Sequence, residues 1–127
     1  MKRIITLAFV AISAVLFTQC NAQQPQADVA TFEKELKSTG AILVDVRTPQ
    51  EFAGGHIKGA QNIDIYSDDF GKRMLAFDKS KTILVYCRSG NRSAQAAQFL
   101  RQSGYKVVDL AGGVGAWSRA GKSLVND

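Results

Sequence analysis

A chain of 127 residues with 46% hydrophobic content can enclose one hydrophobic core and is too short for two ordinary domains. Its 16 Lys and Arg outnumber its 11 Asp and Glu, for a formal charge of +5. The basic residues form no cluster with interleaved aromatics, which argues against nucleic acid as a partner.

Part of that charge sits at the start of the chain. Met1-Lys2-Arg3, followed by the apolar stretch Ile4 to Phe17, has the basic head and short apolar run of a secretory signal. The run is shorter than the roughly 20 residues that cross a bilayer as a helix. A signal peptide over residues 1–22 and a periplasmic product are therefore expected, with an uncleaved anchor as the alternative. Small residues around Cys20-Asn21-Ala22 suit cleavage after Ala22. The competing reading makes Cys20 a lipidated N-terminus that tethers the protein to a membrane, but Gln19 fits poorly where lipoprotein signals place a small residue. Removing Lys2 and Arg3 leaves 14 basic against 11 acidic residues, a net charge of +3. Such a mild positive field suits a small anionic substrate.

Residues 23–27, with a glutamine run and Pro25, read as a polar tether, and the folded domain is expected over 28–127. Asp28 can cap a helix on which Val29, Phe32 and Leu36 share a face, stopping at Ser38-Thr39-Gly40. Ala41 to Val46 reads as a buried strand. Thr48-Pro49-Gln50-Glu51 is a capping-box pattern with proline at the first helical position, so a short helix should begin abruptly there and end at Gly54-Gly55. Ala60 to Ile65 alternates as a second strand, and Ser67 is placed to cap a helix through Phe70, Met74 and Phe77, which are core by their spacing.

Ile83 to Tyr86 predicts the central strand, Ser93 to Ser103 a helix ended by Gly104, Lys106 to Leu110 a further strand, and Gly112 to Trp117 the opening of a last short helix. Trp117 reads as core or pocket wall. Strands alternating with helices imply a mostly parallel sheet covered on both faces, with any ligand at the carboxyl ends of the strands. No internal repeat and no metal-ligand spacing appears, and no cofactor is expected.

Between the central strand and its helix lies Cys87-Arg88-Ser89-Gly90-Asn91-Arg92-Ser93. A strand-to-helix turn with Gly90 in its middle lets consecutive N–H groups point inward, beside the positive end of the helix dipole. Together with Arg88 and Arg92, that setting favours the thiolate, the nucleophilic form. Whichever way the signal is processed, Cys87 is the only free cysteine of the mature domain. In an oxidising compartment a lone thiol calls for a reactive role or an intermolecular pairing. An inert buried thiol is the bland alternative. It is disfavoured because Arg, Ser, Gly and Asn are turn and anion-site residues.

The C-x4-R spacing from Cys87 to Arg92 resembles the active-site loop of the rhodanese, or thiosulfate sulfurtransferase, family. Asp45-Val46-Arg47, Glu51-Phe52 and Gly55-His56-Ile57-Lys58-Gly59-Ala60 resemble that family's N-terminal signature, and Leu110-Ala111-Gly112-Gly113 with Trp117 and Gly121 its C-terminal one. The resemblance implies a single-domain, three-layer α/β/α rhodanese fold with a mostly parallel central sheet. It also implies transfer of sulfane sulfur from a donor such as thiosulfate to cyanide or a thiol acceptor, a redox protein among the candidates, through a persulfide on Cys87. Arg88 to Ser93 would bind the substrate: Arg88 and Arg92 by attracting a sulfonate-like group, and the loop amides by facing the sulfur. For Ser89 and Ser93, turn and N-cap chemistry is an equal reading, and Gly90 serves the backbone. A persulfide-carrier module acting on a protein partner is the alternative within this chemistry. Cysteine phosphatases and arsenate reductases are the rival class, but their loops resemble C-x5-R, a larger ring suited to a tetrahedral group, and no aspartate acid lies nearby in sequence. A thioredoxin-like role lacks its C-x-x-C. His56, the sole histidine, reads as structural rather than as a base. Asp45, Arg47 and Glu51 read as an ion-pair and capping set near the site.

Overall fold

The computed structural model describes residues 25–127. The expected signal segment, with Cys20, lies outside the described residues. Helix α1 (Val29–Leu36) begins where the Asp28 carboxylate accepts the Thr31 N–H at 2.8 Å, an N-cap contribution of about 1 kcal/mol. Its apolar face buries Phe32 completely. Strand β1 (Ile42–Asp45) follows, and α2 (Pro49–Ala53) starts with the capping box complete in both directions, Pro49 at its head. Next come β2 (Gln61–Asn62), α3 (Phe70–Met74), β3 (Ile83–Tyr86), α4 (Asn91–Gln102), β4 (Val107–Asp109) and α5 (Gly113–Arg119).

Three expectations shift at their edges. The second strand is only two residues long: β2 lies at the sheet edge and pairs with β1 only at Val44–Gln61 and Asp45–Asn62. Ser67 does not cap α3: its hydroxyl donates to the Asp64 carbonyl at 2.7 Å and closes a turn, and α3 starts after Asp69 instead. Helix α4 begins at Asn91 rather than Ser93, because Gly90 adopts a left-handed conformation (φ 104°) that turns the chain two residues earlier.

All strands are parallel, in the order β2-β1-β3-β4. Chain direction across the sheet therefore reverses between β1 and β3, and the crevice at their carboxyl ends is a topological switch point. Side chains alternate between faces. Ile83, Val85 and Cys87 join Val44, Met74, Ala96, Ala97 and Leu100 under α3 and α4, whereas Leu84 and Tyr86 join Phe32, Leu110 and Trp117 under α1 and α5. The fold is thus a three-layer α/β/α sandwich, and the strand's period of two delivers Cys87 to the α4 side. Phe70 and Phe77 pack half-buried against that same layer, but the helix expected to run through Phe77 stops at Met74, and Phe77 lies in the turn that follows.

The tether ends earlier than the sequence suggests. Ala27 pairs with Leu110 as an isolated parallel bridge, its N–H donating to the Asp109 carbonyl at 2.7 Å and its carbonyl accepting from Ala111 at 2.8 Å. Residues 26 and 27 are part of the folded unit.

Candidate active site

Cys87 leaves β3 at the switch point and is 1% exposed. The Gly90 N–H donates to its Sγ at 3.1 Å, closing the loop into a small ring around the sulfur. The outer side of the loop is tied to α5: the Val114 N–H donates to the Cys87 carbonyl at 2.9 Å and the Gly115 N–H to the Arg88 carbonyl at 3.3 Å. The Cys87 and Arg88 carbonyls are thus committed to the start of α5, while the Gly90 N–H faces the sulfur. Gly113 (φ 56°) permits this approach. A Cβ there would overlap the Cys87 carbonyl oxygen and lie 2.7 Å from the Arg88 carbonyl carbon.

The residues expected to bind substrate divide into two groups. Arg88, Ser89 and Asn91 are exposed at the rim of the ring. Gly90 and Ser93 are buried beneath it, and the Ser93 hydroxyl donates to the Gly90 carbonyl at 3.3 Å, so Ser93 braces the loop from inside the first turn of α4. Arg92 is engaged elsewhere: its Nη1 and Nη2 each donate to a Glu51 carboxylate oxygen at 2.8 Å. This fork joins α2, which follows β1, to α4, which follows β3, across the switch-point crevice. The Arg92 guanidinium pulls the Glu51 carboxyl down to about 2, assisted by the Thr48 amide and hydroxyl against partial burial. Glu51 in turn raises Arg92, and the nearby Cys87 adds to that rise.

Glu51 therefore has two jobs, capping α2 and holding Arg92, while the expected ion-pair set separates into two pairs. In the other, Arg47 Nε and Nη2 reach the buried Asp45 carboxylate at 3.0 and 2.7 Å, and Nη2 also donates to the Gly55 carbonyl at 2.7 Å. Burial works against the Arg47 charge, but the hydrogen bonds and charge of Asp45 outweigh it and raise its pKa. The guanidinium lies 5.8 Å from the ring centroid of Tyr86, whose hydroxyl accepts the Ile57 N–H at 3.0 Å. Burial, with the Asp45 charge adding to it, pushes the Tyr86 hydroxyl up, so it remains a neutral strut.

His56 is buried, stacks on Phe52, and directs Nδ1 to the Phe52 carbonyl at 3.0 Å and Nε2 to Asp127 at 3.3 Å. These contacts tie α2 to the end of the chain rather than to Cys87. Trp117 is likewise structural, meeting Phe32 edge-on and donating to the Ser123 carbonyl.

Two residues of the loop's surroundings escape a reading from sequence. The Gln26 amide donates to the Gly90 carbonyl at 3.0 Å and to Asp109 at 2.7 Å. Asp109, 2% exposed, ends β4 beside the loop. An acid closing an apolar strand is a signal that could have marked Asp109. Nothing local marks Gln26.

A family model described as a rhodanese-like domain matches residues 28–120. A protein of Allochromatium vinosum named as a sulfurtransferase is 38% identical over 102 residues, 79% of this chain and 94% of the relative. Among solved structures, a rhodanese-related protein of Thermoplasma volcanium superposes with a TM-score of 0.73 at 31% identity, covering 82% of this chain and all of the other. A rhodanese-like domain protein of Staphylococcus aureus gives 0.65 at 29% identity, covering 74% and 91%. These likenesses support a function of the sulfurtransferase type. With its parallel sheet, its Cys87 ring at the switch point and a family match across nearly the whole folded unit, the chain belongs to the rhodanese-like domain family.

Proposed function

We propose that this protein moves sulfane sulfur from a small anionic donor such as thiosulfate to cyanide or a thiol, with Cys87 as the carrier. The observation that carries this reading is the Gly90 N–H aimed at Cys87 Sγ, in a loop whose Cys87 and Arg88 carbonyls are bonded to α5. The Cys87 thiolate attacks the outer sulfur of thiosulfate. The sulfur–sulfur bond of the donor breaks, and sulfite leaves with its electron pair. The new persulfide anion ends where loop amides and the positive end of α4 stabilise negative charge. Cyanide or a thiolate then attacks the outer sulfur, the Sγ–S bond breaks, and the Cys87 thiolate returns. The cycle consumes no external oxidant and calls for no cofactor. Arg88, exposed at the rim and without an ion-pair partner among the described residues, receives the anionic end of the donor. Arg92 holds the start of α4 through Glu51.

The test is thiocyanate formation from thiosulfate and cyanide by the protein, with Cys87→Ser inactive. Normal turnover in that variant would overturn the assignment. The exposed rim of Arg88, Ser89 and Asn91 also favours a second reading, a persulfide carrier that hands sulfur to a protein. A stable gain of one sulfur mass on Cys87 with negligible turnover would select it.

A further inference from the structure

The Cys87 loop has a third anchor besides α5 and the Arg92–Glu51 pair. Backbone pairing of Ala27 with β4 brings Gln26 over Gly90, and the single Nε2 of its otherwise exposed side chain donates to two acceptors, the Gly90 carbonyl and Asp109 Oδ2. The fit is close: a Cβ on Gly90 would lie 3.1 Å from the Gln26 Nε2. The Gly90 carbonyl thereby receives three donors, Gln26 Nε2, Ser93 Oγ at 3.3 Å and the Ala94 N–H at 3.1 Å. Gly90 is also the residue whose N–H meets the sulfur, and its left-handed backbone has no steric preference of its own to keep it there.

Asp109 makes the second half of the arrangement. Its carboxyl is buried, and Oδ1 has no hydrogen-bond partner among the described residues. Burial raises its pKa, with Ser93 and Gln26 pulling the other way. A buried carboxyl oxygen without a partner is costly, and Gln26 is the side chain that satisfies this carboxyl at Oδ2.

We propose that Gln26 is a positioning residue for Cys87: by clamping the Gly90 carbonyl to the buried Asp109, it keeps the Gly90 N–H on the sulfur. The proposal rests on Cys87 being the sulfur carrier, but its physical content is the state of the thiol, which can be read without any sulfur transfer. In Gln26→Ala, the pH profile of Cys87 alkylation by iodoacetamide should move up by about half to one pH unit, the worth of one lost hydrogen bond to the anion's cradle. Thiocyanate formation should fall about three- to tenfold in kcat, with KM for thiosulfate within about twofold. Gln26→Glu, of equal size but without the donor, should behave like Gln26→Ala. An unchanged alkylation profile in Gln26→Ala overturns the proposal. So does loss of cooperative folding in both variants, which would make Gln26 purely structural. If the unmutated protein forms no thiocyanate, the sulfur-transfer reading fails, while the alkylation profile still decides the role of Gln26.

Discussion

Arg92 and Glu51, 41 residues apart in the chain, meet in a two-pronged ion pair with both N–O distances at 2.8 Å. The pair spans the crevice between the helices that follow β1 and β3, and so ties the Cys87 loop to the capping box of α2. An arginine inside an anion-site motif thus spends its guanidinium on the frame of the site, leaving Arg88 as the exposed cation at the rim.

This pair predicts a specific pH dependence. The Glu51 carboxyl falls from 4.5 to about 2 on folding, so its contribution to stability is fully present above about pH 4.5 and is lost as the pH falls towards 2. Glu51→Gln should cost about 1–2 kcal/mol at pH 7, a charge-assisted fork discounted for partial exposure. Urea denaturation of both proteins from pH 7 down to pH 2 should show the difference narrowing below pH 4.5. A constant difference would remove the pair from the stability of the fold.

The two arginines of the loop should separate in kinetics. Arg88→Ala should raise KM for thiosulfate by about tenfold or more with the fold intact, as expected for a lost hydrogen bond to a charged group. Arg92→Ala should lower stability and also weaken donor binding, because it leaves the Glu51 carboxylate unpaired beside an anion site. Steady-state kinetics beside thermal melts distinguish these outcomes, and an unchanged KM in Arg88→Ala would withdraw its role.

Gly113 should tolerate no side chain. Its backbone is in the left-handed region, and a Cβ would press on the peptide joining Cys87 to Arg88. Gly113→Ala should cost about 2–4 kcal/mol and turn the Cys87 carbonyl off α5. Activity should fall more steeply than the melting temperature explains. Gly121→Ala, at a left-handed glycine with no heavy atom near the added Cβ, is the comparison that isolates backbone strain from collision.

Removing Arg47 should be among the most damaging changes outside the loop. Arg47→Ala strands the fully buried Asp45 carboxylate and leaves the Gly55 carbonyl without that donor, at a cost of about 3–5 kcal/mol. The double variant Arg47→Ala with Asp45→Ala should recover part of that loss, which a double-mutant cycle in urea measures directly.

What the sequence determined by itself is local. Asp28 as a cap, the Thr48–Glu51 capping box with Pro49, the alternation of Ile83 to Cys87 and the turn at Gly90 all depend on neighbours a few residues away, so their signals survive in one chain read alone. The ordered signatures around Asp45, His56, Cys87 and Gly112 likewise carried the family and with it the three-layer fold. Which partner each polar side chain takes was decided only when the sheet adopted the order β2-β1-β3-β4. That order makes β1 and β3 neighbours, so the helices that follow them bring Glu51 to Arg92, and it lays Ala27 along β4, giving Gln26 to Gly90 and Asp109 across 64 and 83 residues. Such pairings leave no local trace, because a glutamine in a polar stretch looks the same whether it faces water or holds a loop. For the same reason Ser93, equally suited to a cap or a substrate contact by its position, became a buried brace once Gly90 began the helix two residues earlier.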